Sequence, residues 1–86
     1  MRIGIPSVLV AYTGGQTSVE ATGNTVGELL ADLDRQYPGI RFRMVNERGD
    51  LRPHMRVFVN REMIDGFDQA VGGNDDVIIL QALSGG

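Results

Sequence analysis

The segment of this sequence with one long, unambiguous period runs from Asn24 to Gly39. Val26, Leu29, Leu30, Leu33 and Tyr37 fall at offsets 0, 3, 4, 7 and 11, which places all five on one stripe of an α-helix. Thr25 followed by Glu28 fits a capping box: the threonine hydroxyl accepts from first-turn amides and the glutamate reaches back. Pro38-Gly39 then stops the helix. Asp32, Asp34, Arg35 and Gln36 fall off the stripe and read as a solvated outer face rather than paired-carboxylate chemistry. A helix with one apolar stripe must bury it, and the flanking segments say against what.

Those segments read as strands. Ile3 and Ile5 alternate with Arg2 and Gly4, and beyond Pro6 the run Val8-Leu9-Val10 continues the strand up to a Thr13-Gly14-Gly15-Gln16 turn. Thr17, Val19 and Ala21 alternate on the return strand, completing a hairpin that leads into the helix. Pro6 has no ladder donor, so a bulge or an edge position is expected there. Past the helix, Arg41 to His54 reads as a long surface loop with Phe42, Val45 and Leu51 as anchors. Met55 to Asn60 resumes as a strand, Arg61-Glu62 forms a tight turn, and Met63-Ile64 is a short partner strand. After the Gly72-Gly73-Asn74-Asp75-Asp76 turn, Val77-Ile78-Ile79-Leu80 is apolar on both faces, the mark of a strand buried in mid-sheet beside strand one. The expected fold class is α+β: a mixed sheet of four to five strands with one main α-helix packed on one face, in a single domain over residues 1–86.

Composition narrows what such a domain can do. The chain has 86 residues, a net charge of −3 and no cysteine, tryptophan or lysine; its basic residues are all arginine. Without cysteine there is no disulfide framework, thiolate metal site or cysteine nucleophile. Without lysine there is no P-loop and no Schiff base. A single histidine, His54, leaves zinc chemistry and a Ser-His-Asp arrangement short of parts, and no Gly-x-Ser-x-Gly stretch is present. The sequence pI of about 4.9 argues against nucleic acid as the main partner. No apolar run approaches the ~20 residues that span a bilayer, and Met1 to Pro6 lacks the pattern of a secretory signal, so a cytoplasmic location is expected.

The chain finishes Gln81-Ala82-Leu83-Ser84-Gly85-Gly86. The central strand runs almost directly into this end, so residues from about 82 to 86 are expected to project as a flexible Gly-Gly tail. The hairpin, the helix opening Asn24-Thr25-Val26-Gly27-Glu28-Leu29-Leu30 and closing Tyr37-Pro38-Gly39, the strand Val57-Phe58-Val59-Asn60, the turn before Val77-Ile78-Ile79-Leu80, and Gly85-Gly86 together resemble the MoaD/ThiS-type sulfur carriers. The resemblance covers essentially the whole chain and implies a ubiquitin-like, β-grasp fold. Ile5-Pro6-Ser7-Val8-Leu9 with Thr13-Gly14-Gly15-Gln16 is closest to the cysteine-biosynthesis (CysO-like) branch, and Ser84 departs from the alanine common in molybdopterin-type members.

The resemblance implies a carrier rather than an enzyme, with no catalytic residue and no bound cofactor or metal. An E1-like enzyme would use ATP and magnesium to adenylate the Gly86 carboxylate, and a sulfur donor would convert it to a thiocarboxylate. A downstream synthase, pyridoxal-phosphate dependent in the cysteine branch, would receive the sulfur, and a peptidase would regenerate the Gly-Gly end. Gly86 would supply the carbonyl, Gly85 the clearance in a narrow channel where a Cβ clashes, and Ser84 and Leu83 the channel mouth. Phe58 and Leu80, with Arg56 as a rim charge, are candidates for docking on the exposed sheet face; strand periodicity equally allows Phe58 and Leu80 to be core. His54 is expected to face solvent, Asp75-Asp76 to form a turn rather than a metal site, Asp65 and Asp68 a turn or a helix cap, and Met44, Met55 and Met63 to fill core gaps. Two other classes stay open: a ubiquitin-like modifier joined through Gly86 to lysines of other proteins, and an interaction module whose Gly-Gly end is inert.

Overall fold

The computed structural model describes residues 1–82. Five strands form one mixed sheet: β1 (Arg2–Gly4), β2 (Ser18–Glu20), β3 (Met55–Val59), β4 (Glu62–Met63) and β5 (Val77–Gln81). Their spatial order is β2-β1-β5-β3-β4. β5 sits at the centre, parallel to β1 (Ile3↔Val77, Gly4↔Ile78) and antiparallel to β3 from Met55↔Gln81 to Val59↔Val77. Helix α1 (Val26–Gln36) packs its apolar stripe on one face. This is the β-grasp arrangement expected of the chain.

The stripe supplies the core as its spacing requires. Val26, Leu29, Leu30 and Leu33 are all buried, in one cluster with Ile3, Val19, Val57, Val77 and Ile79 of the sheet. Burying each such side chain contributes about 1.5–3 kcal/mol, several times the roughly 0.2–0.5 kcal/mol of an exposed helical pair, so the stripe and not the outer face holds the helix. The capping box is formed: the Glu28 amide donates to Thr25 Oγ1 at 3.1 Å and the Asn24 amide to Glu28 Oε1 at 2.9 Å.

The outer face of α1 is more occupied than a solvated surface. The Asp32 carboxylate accepts from the Thr22 amide and Gln36 Nε2, each at 3.0 Å, and from the Arg35 guanidinium, which ties the β2–α1 link to the helix. Asp34 Oδ1 accepts from the Gly39 and Arg41 amides at 3.1 and 3.0 Å. That carboxylate caps a second helix, α2 (Ile40–Met44), in the stretch expected to be loop. Ile40 and Met44, one helical turn apart, are both fully buried, while Phe42 faces solvent. The rest of the expected loop is a tight turn in which Asn46 Oδ1 accepts from the Arg48 and Asp50 amides, closed by a Val45–Leu51 bridge.

Three further expectations change. Val8-Leu9-Val10 does not extend β1; Ser7–Thr13 is a 3₁₀ helix. Ladder pairing persists to Ile5, whose amide donates to Thr17 O at 2.8 Å, and ends where Pro6 has no N–H to offer. The 3₁₀ turn then buries Leu9 and Thr13, and Gly14 closes it at φ 65°. The second tight turn is Asn60-Arg61 rather than Arg61-Glu62, both at positive φ (53° and 72°), so β4 begins one residue earlier than expected. Finally, β5 is not buried on both faces: Val77 and Ile79 are core, but Ile78 is half-buried and Leu80 is 46% exposed.

Candidate functional site

Alternation along β3 and β5 decides which side chains the helix covers. Met55, Val57 and Val59 point into the core, so Arg56 and Phe58 stand on the opposite face. Register then places their neighbours, because paired residues share a face. Phe58 lies between Ile78 of β5 and Met63 of β4, Arg56 lies beside Leu80, and Ile78 lies beside Gly4 of β1. The result is a continuous apolar run of Met63, Phe58 and Ile78 across three strands, with Leu80 flanking it. Leu80 and Met63 are 46% and 55% exposed.

Gly4 leaves this face low on one side: a Cβ there would meet the Ile78 side chain at 3.6 Å, ordinary contact, so the gap is space rather than steric necessity. Arg56 borders the patch with its guanidinium folded back, Nη1 donating to Pro53 O at 2.6 Å and Met55 O at 2.9 Å. Held this way it adds charge at the rim without covering the apolar surface.

Of the expected docking residues, then, Phe58, Leu80 and Arg56 share the open face, and the alternative placing of Phe58 and Leu80 in the core is excluded by geometry. Met63 and Ile78 belong with them. Met63 is exposed, not a gap-filler, whereas Met44 and Met55 are buried as expected. Counting strand parity outward from the buried Val57 and Val77 finds both residues, but only once the buried member of each pair is known.

The open face ends where the chain leaves the sheet. Gln81 pairs with Met55, and the Ala82 amide donates to His54 O at 2.8 Å, extending the ladder by one bond. His54 is exposed, as expected, and contributes its carbonyl to that bond. Leu83, Ser84, Gly85 and Gly86, the expected channel and reaction residues, lie outside the described residues. At the opposite end of β5, Asp75 accepts from Asn60 Nδ2 at 2.9 Å and the Gly72 amide at 2.8 Å, and Asn60 Oδ1 accepts from the Asp76 amide. The Asn60 side chain and the Gly72 amide hold the Asp75 carboxyl below its ordinary value. These acids brace a turn. Asp65 and Asp68 likewise lie in the turn after β4, where the Asp65 amide donates to Gln69 Oε1. Among the described residues no cluster of three metal-ligating side chains occurs, and no helix is long and apolar enough to cross a membrane.

The ThiS family model matches residues 3–86. The chain is 37% identical to the sulfur carrier protein CysO of Mycobacterium tuberculosis, over 100% of this chain and 98% of the relative. The crystal structure of that protein superposes with a TM-score of 0.90 at 36% identity, over 95% of this chain and 98% of the other. A chain in the crystal structure of the Amycolatopsis orientalis BexX/CysO complex also superposes at 0.90, with 38% identity over 99% and 98% of the two chains. Small archaeal modifier protein 3 of Haloferax volcanii is 35% identical over 72% of this chain and 70% of its own length.

Proposed function

The chain belongs to the ThiS family, and on that premise we propose that it is a sulfur carrier whose Gly86 carboxyl is converted to a thiocarboxylate and then gives up its sulfur to a biosynthetic enzyme. The observation that carries this reading is the family match itself, which runs through Gly86 and so includes both glycines. Full-length similarity to CysO favours cysteine synthesis as the destination, with an activated serine derivative as acceptor and secondary-metabolite sulfur transfer as the next candidate.

The chemistry follows from the carboxyl group. With a reference pKa of about 3.3 to 3.7 it is ionised at neutral pH, and a carboxylate is a poor electrophile. An E1-like enzyme joins it to AMP at the expense of ATP, releasing pyrophosphate. A sulfur donor attacks the acyl carbon, AMP leaves with the C–O bond's electron pair, and –C(=O)S⁻ remains. The anionic sulfur is the nucleophile that the receiving enzyme uses. A peptidase or hydrolysis restores the glycine end. ATP and magnesium belong to the activating enzyme, and the pathway is cytoplasmic. The chain supplies a handle and a docking surface, and the open face built on Phe58, Leu80, Met63 and Arg56 is that surface. The occurrence of a similar chain in a complex with BexX supports docking of this kind.

A second reading, a protein modifier, is favoured by the similarity to the Haloferax modifier, though over less of the chain. Intact-mass analysis after incubation with the activating enzyme, ATP and sulfide separates the two. Exchange of one oxygen for sulfur is expected for a carrier. Adducts on lysines of other proteins support the modifier, and an unchanged mass with a competent enzyme refutes both.

A further inference from the structure

The open sheet face is only one side of the strand end from which the chain departs. On the helix side of that end, a cleft of about 470 Å³ opens between the 3₁₀ helix, α2 and the last residues of β5. Val8, Ala11 and Tyr12 of the 3₁₀ helix line it with Arg43 of α2, His54 and Gln81, and the buried Leu9 and Met55 also belong to its lining. Val8, which lines the cleft, is 52% exposed. Arg43 Nε donates to the Tyr12 hydroxyl at 2.7 Å, and the guanidinium carbon lies 5.9 Å from the Tyr12 ring centre. One donor thus fixes the group, while the other guanidinium N–H groups make no hydrogen bond among the described residues.

Charge along the chain is divided in a way the net value hides. Residues 41–56 carry five arginines against two acids, a net of +3. The rest carries three arginines against nine acids, a net of −6. Salt bridges among the described residues join Met1 and Arg2 to Glu20 and Arg35 to Asp32, so none of those five arginines is paired with a carboxylate. Arg43, Arg52 and Arg56 are instead held by neutral oxygens: the Tyr12 hydroxyl and the carbonyls of Phe42, Pro53 and Met55. Neutral acceptors orient a guanidinium without cancelling its charge. Arg43, Arg52 and Arg56 lie at the end from which the chain leaves β5, and Glu62, Asp75 and Asp76 lie at the other.

We infer that this cleft is a second recognition site, taking an acidic segment of the enzyme that acts on Gly86: a carboxylate seated on Arg43, with an apolar neighbour against Val8 and Ala11. The inference rests on the carrier reading. Gly86 lies only four positions beyond Ala82 in the chain, and four residues span at most about 14 Å whatever their path. An enzyme working at Gly86 therefore comes against the body around Ala82, with the apolar patch on one side of the sheet and the basic cleft on the other. Gripping both sides fixes the direction in which the chain enters the enzyme. Charge at this end also speeds encounter and makes it salt-dependent.

The test uses the full chain and the purified E1-like adenylyltransferase of the same genome. Affinity is measured at low and at high salt for wild type, Arg43→Glu and Arg61→Glu, the last making the same charge change at the far end of the sheet. Arg43→Glu is expected to weaken binding at least about tenfold at low salt and to flatten the salt dependence, and Arg61→Glu to change it less than about twofold. Arg43→Lys, which keeps the charge, should recover most of the loss, and melting curves confirm that all variants are folded. If wild type gains sulfur in the intact-mass assay and folded Arg43→Glu binds like wild type, or both charge reversals weaken binding equally, the cleft inference is overturned while the carrier reading stands. If wild type gains no sulfur with a competent enzyme, the carrier reading fails first. Salt-dependent self-association abolished by Arg43→Glu would identify a second copy as the occupant and overturn the proposal.

Discussion

Val57 and Phe58 are adjacent in β3 and point to opposite faces, so truncating each separates packing from docking. Val57 is fully buried. Val57→Ala removes two methyl groups at about 0.8 kcal/mol each and leaves a cavity whose cost is comparable, about 2–3 kcal/mol in all. In a domain of this size 1 kcal/mol shifts the melting temperature by roughly 4–8 °C, so a fall of about 10–20 °C is expected. Phe58 is half-buried and loses only its cross-strand neighbours Ile78 and Met63, each pair worth about 0.2–1 kcal/mol. Phe58→Ala should therefore cost about 1 kcal/mol, or 4–8 °C. Its effect on binding should be the reverse. An aromatic anchor at the centre of an interface is worth about 2 kcal/mol or more, which is about thirtyfold in Kd. Circular-dichroism melts and calorimetric titration with the activating enzyme, well below both transitions, measure the two quantities. A Phe58→Ala protein that melts as low as Val57→Ala but binds with wild-type affinity would refute the assignment of this face to docking.

The other expectations are independent of that one. A Cβ at Gly23 would sit 2.6 Å from the Leu29 amide nitrogen and 2.8 Å from the Glu28 carbonyl carbon, whereas one at Gly72 meets nothing within 4 Å. Gly23→Ala should thus lose about 1–3 kcal/mol in a denaturant titration while Gly72→Ala is nearly neutral; equal midpoints would show that the first turn of α1 yields freely. The Arg35 guanidinium, the Thr22 amide and Gln36 hold the Asp32 carboxyl below its ordinary 3.8, and the Asn60 side chain and the Gly72 amide do the same for Asp75. Both folded-state values are depressed, so the stability they confer is present above about pH 4 and is lost as the pH falls through the lowered values. The double variant Asp32→Asn, Asp75→Asn should lose stability less steeply on acidification, and an unchanged slope would locate the acid sensitivity elsewhere. For Gly86→Ala, single-turnover adenylation is expected to slow on the order of tenfold to a hundredfold with the melting curve unchanged; a normal thiocarboxylate yield and rate would remove the argument for a narrow channel.

The absent lysine takes on meaning only beside this chemistry. On the carrier reading, an activated Gly86 would find no ε-amine on its own or a neighbouring copy to acylate, because residues 1–86 contain no lysine. The absent cysteine requires that any sulfur it carries be held outside its side chains.

What was legible in the sequence is what neighbouring residues decide among themselves. Helix α1 was readable because its period, its capping box and its Pro38-Gly39 stop all act within a few residues, and β5 was readable as central because four successive apolar residues suit no edge. The second helix was hidden because it is five residues long and its cap, Asp34, belongs to the helix before it. The 3₁₀ turn after Pro6 was hidden because Val8-Leu9-Val10 suits a strand equally well, and what decides is that Leu9 has a core to enter. The same limit governs the functional surface. Period two assigns Phe58 and Leu80 to a face but cannot say which face the helix covers; the long-range pairing of β3 with β5 and the docking of α1 settle that. The gathering of residues 8–12, 43, 54 and 81 around one strand end is likewise a product of chain crossing, since a cleft built from four separated segments has no periodicity to leave in the sequence.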